Sequence, residues 1–450
     1  MKHIHFIGIG GIGVSALVGI MHARGKTISG SDQEESPITQ NLGKQGIKVH
    51  IGHGPANLFP KPDLVVHSLA IDDKNLELKE AKRLKIPTLT YPQAVGELTR
   101  EYFTIAICGT HGKSTITAMI SKVLIENEFD PTVIVGTKLK ELGGQNFRTG
   151  KSKLLVLEAC EYRRAFLNYS PKVIVLHTLD PDHLDYYKDF ADYLSAFKEF
   201  TAKLPADGYF FGSFDDEDVN NIQHRLLENK FPNYNMFGYG TFSKSGNAYL
   251  EGNDVYKNGE KAGEMHLKIP GQHNRTNALA AFTICSQFGI TPKAILKSLN
   301  NYSGAYRRFE KKGKLGHTVL IDDYGHHPAE IAATLQAARE EYKNERICVV
   351  YQPHQYNRTK NLLKEFGPAF KDADFVIIPN IFDARDSVED KSAVSPEKLV
   401  EEIKQNGIHA IYGGGLEKTA EYLKKHAKEF DVVITMGAGD VWKIADELLF

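Results

Sequence analysis

Two glycine-rich turns hold the residue types that phosphate chemistry needs. The first, Gly8-Ile9-Gly10-Gly11-Ile12-Gly13, follows an apolar run and opens a helical pattern in which Leu17, Ile20 and Met21 share a face. Asp32 stands at the end of a second strand pattern. In that context backbone N–H groups and a helix N-terminus face a pyrophosphate and the carboxylate faces a ribose, as in a dinucleotide or nucleotide-diphosphate site. The plainer alternative is a turn kept for tight strand-helix packing, with Asp32 an ordinary turn residue. The second turn, Gly109-Thr110-His111-Gly112-Lys113-Ser114-Thr115, joins the strand FTIAIC to a helix with Ile116, Met119, Ile120, Val123 and Leu124 on one face. It offers N–H groups to phosphate, Lys113 to the β- and γ-phosphates and the Ser114 hydroxyl to Mg²⁺. Ile107 replaces the first glycine of the longer GxxxxGK[ST] loop, so a shortened GTxGK[ST] turn remains.

Nucleotide chemistry also needs carboxylates. Glu158 ends the strand pattern KLLVLEAC, where a parallel sheet places its ligands, and is the metal candidate. The strand KVIVLHTL runs into Asp180-Pro181-Asp182-His183-Leu184-Asp185, so His183 is expected near the same sheet edge, either supporting a second ion or serving structure. Asn274 and Asn277 are three apart at the start of one helix, suited to an adenine edge or to capping. Arg307 and Arg308 mark a domain junction, where an arginine can close over a γ-phosphate or the pair can solvate a linker. The strand HTVLIDDY leads to Asp323, Tyr324, His326 and His327, and ICVVYQP to His354, Tyr356 and Arg358. Two such strand ends imply one facing polar site, since the C-termini of parallel strands share an edge.

The elements behind these residues read as three α/β blocks. A chain of 450 residues suggests about three domains, with boundaries expected at 1–98, 99–304 and 305–450. Short β-branched runs alternate with helical patterns throughout, the signature of βαβ units and mainly parallel sheets. Residues 234 to 270 carry short strands and the turn signals Ser245-Gly246-Asn247 and Asn258-Gly259, so an antiparallel meander is expected at the edge of the middle sheet. Thr291-Pro292 reads as an N-cap with proline at the first helical position. With 55 Lys+Arg against 56 Asp+Glu there is no basic field for nucleic acid or an anionic membrane. No apolar run is long enough to span a bilayer, and glycines interrupt the apolar start where a signal peptide needs continuity. Cys108, Cys160, Cys285 and Cys348 are far apart and read as small core residues in a reducing cytosol. Monomer and homodimer both stay open.

The ordered set GIGGIG, GTHGKST, the strand ending in Glu158, DPDHLD, GQHNRTNALAA, YRRFE, DDYGHHPAEI and QPHQYNRT resembles the cytoplasmic Mur ligase family across essentially the whole chain. The resemblance implies a Rossmann-like N-terminal domain for a UDP-sugar, a central P-loop ATPase domain with antiparallel edge strands and a Rossmann-like C-terminal domain for an amino acid. It implies ATP and Mg²⁺, small-molecule substrates and a cytoplasmic setting. The implied reaction joins L-alanine to the lactyl carboxylate of UDP-N-acetylmuramate through an acyl phosphate, in peptidoglycan precursor synthesis. Gly8, Gly10, Gly11, Ile12, Gly13, Asp32, Ser68 and Ala70 would hold the UDP-sugar, and Gly109 to Thr115 the ATP phosphates. Ser114 and Glu158 would share one magnesium with His183 near another. Asn274 and Asn277 fall at adenine-side positions, Arg308 at the phosphate-facing arginine and Asp323 at the ribose, while Tyr324, His326, His354 and Arg358 would receive the amino acid. Lys113, Glu158, His183, Arg308 and His326 are thus the catalytic candidates.

Three departures accompany the resemblance. The metal strand reads EACEYRRAF rather than the commoner EADESDxSF, GKST replaces GKTT, and Gln355 stands where an arginine is usual. Lys198, where sister ligases carry a carbamylated lysine, is expected to be an exposed helix lysine. Because ATP and amino acid fall on different domains, closure of the third on the second is expected. Within the family the alternative is a recycling ligase that adds a whole tripeptide to the same sugar. Outside it, an NAD-dependent oxidoreductase would account for GIGGIG and Asp32 but not for GTHGKST and Glu158, and a non-catalytic nucleotide switch would bind ATP without releasing phosphate.

Overall fold

The structure is a computed structural model that describes residues 2–228, 235–241, 244, 246–384 and 386–449. Tyr234, Phe242, Ser243 and Ser245 of the expected meander lie outside the described residues. The first sheet is wholly parallel: β1 (His3–Ile7), β2 (Thr27–Asp32), β3 (Lys48–Ile51), β4 (Leu64–His67) and β5 (Thr88–Thr90), in the order β3-β2-β1-β4-β5. Its helices are α1 (Ile12–Ala23), α2 (Pro37–Lys44), α3 (Leu76–Arg83) and α4 (Tyr91–Thr99). Ser36 caps α2 and Thr90 caps α4, each in a reciprocal box with the residue three further on, which fixes where the chain turns from sheet into helix.

The middle sheet has ten strands: β6 (Phe103–Cys108), β7 (Thr132–Leu139), β8 (Gln145–Arg148), β9 (Leu154–Glu158), β10 (Val173–Leu176), β11 (Tyr209–Ser213), β12 (Asn235–Gly240), β13 (Ala248–Glu251), β14 (Asp254–Lys257) and β15 (Glu260–Glu264). Their order is β15-β14-β13-β12-β11-β10-β6-β9-β7-β8. Strand β6 therefore lies between β9 and β10, and the turn after it shares an edge with the ends of both. The expected antiparallel edge is present in β13, β14 and β15, whereas β12 runs parallel to β11 and β13. The helices of this block are α5 (Lys113–Glu126), α6 (Phe190–Thr201), α7 (Glu217–Glu228), α8 (Gln272–Cys285) and α9 (Pro292–Asn300). Lys198 is half-buried on α6 rather than exposed, because α6 turns Phe197 and Phe200 fully inward on either side of it.

The third sheet is built from β16 (Glu310–Leu315), β17 (Thr318–Asp323), β18 (Ile347–Tyr351), β19 (Phe375–Ile378), β20 (Ala410–Tyr412) and β21 (Val432–Met436), in the order β16-β17-β21-β18-β19-β20. All neighbours run parallel except β16, which forms an antiparallel hairpin with β17. Helices α10 (Pro328–Glu341), α11 (Tyr356–Asn361), α12 (Leu363–Ala369), α13 (Val388–Ala393), α14 (Pro396–Gln405), α15 (Leu416–His426) and α16 (Trp442–Leu449) complete this block. Cys108, Cys285 and Cys348 are core residues as expected. Cys160 is exposed instead, since it follows the end of β9 and has left the sheet interior.

By contact density the chain divides into two units: Met1–Asp180 with Ala191–Met265 and Ala278–Leu299, and Pro181–Phe190 with His266–Asn277 and Asn300–Phe450. The first unit holds the first two sheets, joined where α1 lies on the β7–β8 hairpin. There Asn146 Nδ2 donates to the Ile12 carbonyl, and Phe147 fills the space that Gly19 leaves empty. A Cβ at Gly19 would lie 2.0 Å from the Phe147 ring. We expect Gly19→Ala to lower stability by about 1–3 kcal/mol in urea unfolding despite alanine's better helix propensity. Gly43→Ala on exposed α2, with no atom within 4 Å, should leave the midpoint unchanged or raise it; equal behaviour of the two variants would refute the packing assignment.

Candidate active site

The second glycine turn wraps around its own lysine. Gly112 adopts φ 78° as the residue before α5, and Gly109 adopts φ 128°, where a Cβ would stand 2.9 Å from the Thr178 carbonyl. Only glycine fits both demands at Gly109. Thr110 is anchored to the end of β10: its N–H donates to Thr178 O (2.7 Å), and its hydroxyl lies 3.0 Å from Asp180 O and 2.8 Å from the Tyr193 hydroxyl. His111 N–H donates to Thr178 Oγ1 at 3.1 Å, and its ring meets Asp180 at 3.0 Å. Ser114 and Thr115 are buried in the first turn of α5.

Lys113 Nζ donates to Gly109 O (2.6 Å), Thr110 O (2.9 Å) and Glu161 Oε1 (3.0 Å). Burial alone would lower the pKa of this ammonium, but the Glu161 carboxylate overrides burial and keeps it raised. Glu161 is only 1 % exposed, so each charge requires the other. Sequence reasoning missed Glu161; the signal was there, a second acid three residues past Glu158 in EACE. Glu158 itself ends β9 beside the turn, and its Oε2 accepts from Gly136 N at 2.7 Å. A Cβ on Gly136 would come within 2.7 Å of Oε1, so glycine there makes the room the carboxylate occupies.

At the first glycine turn, Gly8 (φ 78°) and Ile9 donate to the Ser31 carbonyl at 2.8 and 3.0 Å. Asp32 Oδ2 accepts from Gly10 N at 2.7 Å and Oδ1 from Gln33 N at 2.8 Å. Asp32 thus braces the turn itself, and a Cβ at Gly10 would approach Asp32 Oδ2 to 2.9 Å. Gly13 is packed against the Tyr91 ring, Gly11 N–H closes on Gly8 O at 3.2 Å, and Ile12 begins α1. After β4, Ser68 N donates to Ile7 O, Ser68 Oγ accepts from Ala70 N, and Arg163 donates to the Leu69 carbonyl at 2.8 Å.

In the second unit the ends of β17 and β18 meet as expected. The His326 and His354 rings lie 6.2 Å apart, Tyr324 packs edge-on to His326, and His354 stacks on Phe382. Segment Pro181–Phe190 packs here rather than with the sheet its strand leaves, because Asp182 pairs with Arg358 at 2.8 Å and Pro181 O meets His327 Nε2 at 3.2 Å. Both charges are about nine-tenths buried. Burial would raise the Asp182 carboxyl, yet His183 and the paired Arg358 hold it well below the ordinary range. His183 adopts φ 55° and joins Gln355, Asn357 and Arg358 around a small pocket. Gln355, at φ 76°, spends its amide on Ala384 O and its backbone N–H on Phe382 O, shaping the turn into α11.

The two junction arginines behave differently. Arg307 is buried and ion-paired with Asp322 at 2.8 Å, which removes it from the expected surface pair. Arg308 is half-buried, its guanidinium 5.2 Å from the Tyr324 ring centroid. Asp323 accepts from Phe309 N and Gly325 N, both at 2.7 Å, so its carboxylate braces this junction. Asn274 Nδ2 donates to Pro270 O at 2.6 Å from the first turn of α8, while the buried Asn277 Oδ1 finds no partner among the described residues. Among those residues no three His, Cys, Asp or Glu side chains group to hold a metal by themselves.

Burial pushes His326 down to about 3, with Arg358 adding to the effect and Glu330 and Asp182 opposing it. A depressed histidine favours the neutral folded form, so its stabilisation is complete above pH 6.5 and is lost as pH falls from there towards 3. His326→Gln should therefore lose about 2 kcal/mol less stability than the parent between pH 6.5 and 5 in urea titrations. Identical losses would contradict the buried neutral imidazole.

Three family models match in sequence order: the Mur ligase family catalytic domain over residues 3–103, the Mur ligase middle domain over 107–285 and the Mur ligase glutamate ligase domain over 307–439. The chain is 43% identical over 460 residues to the UDP-N-acetylmuramate--L-alanine ligase of Acetivibrio thermocellus, covering 100% of this chain and 96% of that one. It is 40% identical to the protein of the same name from Alkaliphilus metalliredigens, covering 100% and 97%. Among solved structures it is similar to UDP-N-acetylmuramate-alanine ligase MurC from Thermotoga maritima, with TM-score 0.83, 28% identity and coverage of 100% and 98%. A murein peptide ligase from Psychrobacter arcticus shares the fold at TM-score 0.74 and 22% identity, with coverage of 100% and 98%. With three sheets in the expected order and all three domain models matched along its length, the chain belongs to the Mur ligase family.

Proposed function

We propose that the chain is an ATP-dependent ligase that joins L-alanine to the lactyl carboxylate of UDP-N-acetylmuramate, releasing ADP and phosphate, in the cytoplasmic synthesis of a peptidoglycan precursor. One observation carries this reading: a buried ammonium, Lys113, enclosed by a phosphate-type turn beside Glu158, in a chain 43% identical over its full length to a relative bearing that name. An oxidoreductase would leave the Lys113–Glu161 pair without a role.

In this proposal residues 1–98 take the UDP-sugar through Gly8, Gly10, Gly11, Ile12, Gly13, Asp32, Ser68 and Ala70. Residues 99–304 take ATP through Gly109 to Thr115, with Asn274 and Asn277 on the adenine side, where the Asn277 carbonyl oxygen has no partner among the described residues. Residues 305–450 contribute Arg308 to the phosphates, Asp323 to the ribose side, and Tyr324, His326, His354 and Arg358 to the amino acid. The donors near the turn fit Mg²⁺: oxygen ligands only, from Ser114 and from Glu158 in the room left by Gly136. Mg²⁺ characteristically takes one or two protein oxygens and completes its shell with phosphates and water, and when bound it would neutralise charge on the phosphates. His183 is the candidate beside a second ion.

The reaction proceeds by attack of the lactyl carboxylate oxygen on the γ-phosphorus, with ADP leaving, then attack of the alanine amine on the acyl phosphate, with phosphate leaving. Lys113 and Arg308 offset charge on the transferring group, the main service a protein renders such transfers. His326 Nδ1 faces the Tyr324 carbonyl at 3.2 Å, which leaves the Nε2 lone pair of a neutral ring as an acceptor for the incoming amine.

Phosphate release from ATP, Mg²⁺ and UDP-N-acetylmuramate is expected only when L-alanine is added, with the recycled tripeptide as the comparison acceptor. Lys113→Ala should reduce turnover by about 10³-fold or more. Release dependent on tripeptide instead, or near-normal turnover by the variant, would overturn the assignment.

A further inference from the structure

A polar network lies beneath the first glycine turn, on one face of the first sheet. His3 and His5 alternate along β1, Ser29 and Ser31 along β2, and the register pairs His5 with Ser29 and Ile7 with Ser31. Helix α3 lays Glu77 over this face, fully buried, as is His5. Glu77 Oε1 stands 3.3 Å from His5 Nε2, and Oε2 accepts from Ser31 Oγ and lies 3.0 Å from His53 Nδ1. His5 Nδ1 in turn meets Ser29 Oγ at 2.8 Å, and Ser29 Oγ meets His3 Nε2 at 2.8 Å. One direction is fixed by the chemistry of the carboxylate. A carboxylate only accepts, so the Ser31 hydroxyl donates to Glu77, whereas His5 Nε2 and Glu77 Oε1 face each other without hydrogen-bond geometry.

The residue pinned by that carboxylate is the one that holds the turn. The Ser31 carbonyl accepts the N–H groups of Gly8 and Ile9, and its neighbour Asp32 accepts that of Gly10. Three consecutive N–H groups are thus tied to the last two residues of β2, which fixes the direction of Gly11, Ile12 and Gly13 at the start of α1. An amide in place of Glu77 keeps only one acceptor oxygen and no charge, so it cannot meet the Ser31 hydroxyl and the His5 and His53 rings as the carboxylate does.

We infer that Glu77 is a positioning residue for the UDP-sugar: by fixing Ser31 from beneath, it holds the glycine turn in its binding shape. The inference rests on the proposed assignment of that turn to the UDP-sugar.

The test compares the full chain with Glu77→Gln and Ser31→Ala by calorimetric titration with UDP-N-acetylmuramate, by steady-state kinetics and by amide exchange. We expect Glu77→Gln to weaken UDP-sugar binding by about tenfold or more, with KM for ATP and L-alanine and kcat within about twofold of the parent. Amide exchange of residues 8–13 should quicken while that of 109–115 does not, a split that a general loss of stability would not produce. Ser31→Ala should shift the same quantities in the same direction, and it decides the matter if Glu77→Gln fails to fold. Parent-like UDP-sugar affinity with unchanged exchange at 8–13, or equal losses for UDP-sugar and ATP, would overturn the inference. If the parent itself does not bind UDP-N-acetylmuramate, the functional reading fails, and exchange at 8–13 still shows separately whether Glu77 braces the turn.

Discussion

An ammonium taken out of water must be compensated where it stands, and Lys113 is compensated by the turn that carries it. Two carbonyls of the turn and the buried Glu161 surround Nζ within 3.0 Å. That enclosure dictates the rest of the locality. The carbonyls can aim inward only because Gly109 takes a backbone angle closed to other residues, pressed against the end of β10. The turn must therefore follow a strand flanked on both sides, and β6, between β9 and β10, is such a strand. The same placement puts Glu158 at the adjoining strand end. In the proposed reaction a triphosphate takes over part of the role Glu161 plays in the free protein, so the cation is already in position and little reorganisation is needed when substrate arrives.

Paired burial of charge recurs as the means by which this chain fixes irregular backbone. Asp182 and Arg358 hold segment 181–190 against the end of β18, and Arg307 and Asp322 hold the linker into the third sheet. Removing one partner from such a pair costs about 3–5 kcal/mol, since the other is left buried and uncompensated. The pairs also divide labour between neighbours. Arg307 is locked inside while Arg308, next in sequence, remains half-exposed over Tyr324; Asp322 answers Arg307 while Asp323 braces the backbone at Phe309 and Gly325. Two identical residues side by side are therefore held differently, one in a buried ion pair and one over an aromatic ring.

This division explains what the sequence made legible. Both glycine turns, the strand ends at Glu158, Asp323 and Tyr351, and the alternation of strands and helices are local patterns, and each appears where periodicity places it. Strand β16 was hidden because EKKGKL has neither β-branched residues nor an apolar face, and its pairing comes from the hairpin with β17. Partners chosen by tertiary packing were equally hidden. Nothing local distinguishes Glu161 from a surface acid, or says that Arg358 meets an aspartate 176 positions earlier. Asp32, expected to face a ribose, also accepts from Gly10 N, a bond visible only once β2 and the turn are set side by side.

In the proposed reaction the end group of ATP passes to the sugar's carboxylate before the amine attacks. Oxygen-18 placed in the lactyl carboxylate of UDP-N-acetylmuramate tests it most directly, with mass analysis of the inorganic phosphate after turnover with ATP and L-alanine. Each phosphate released is expected to carry one labelled oxygen taken from that carboxylate. Unlabelled phosphate, with the amide nevertheless formed, would contradict it.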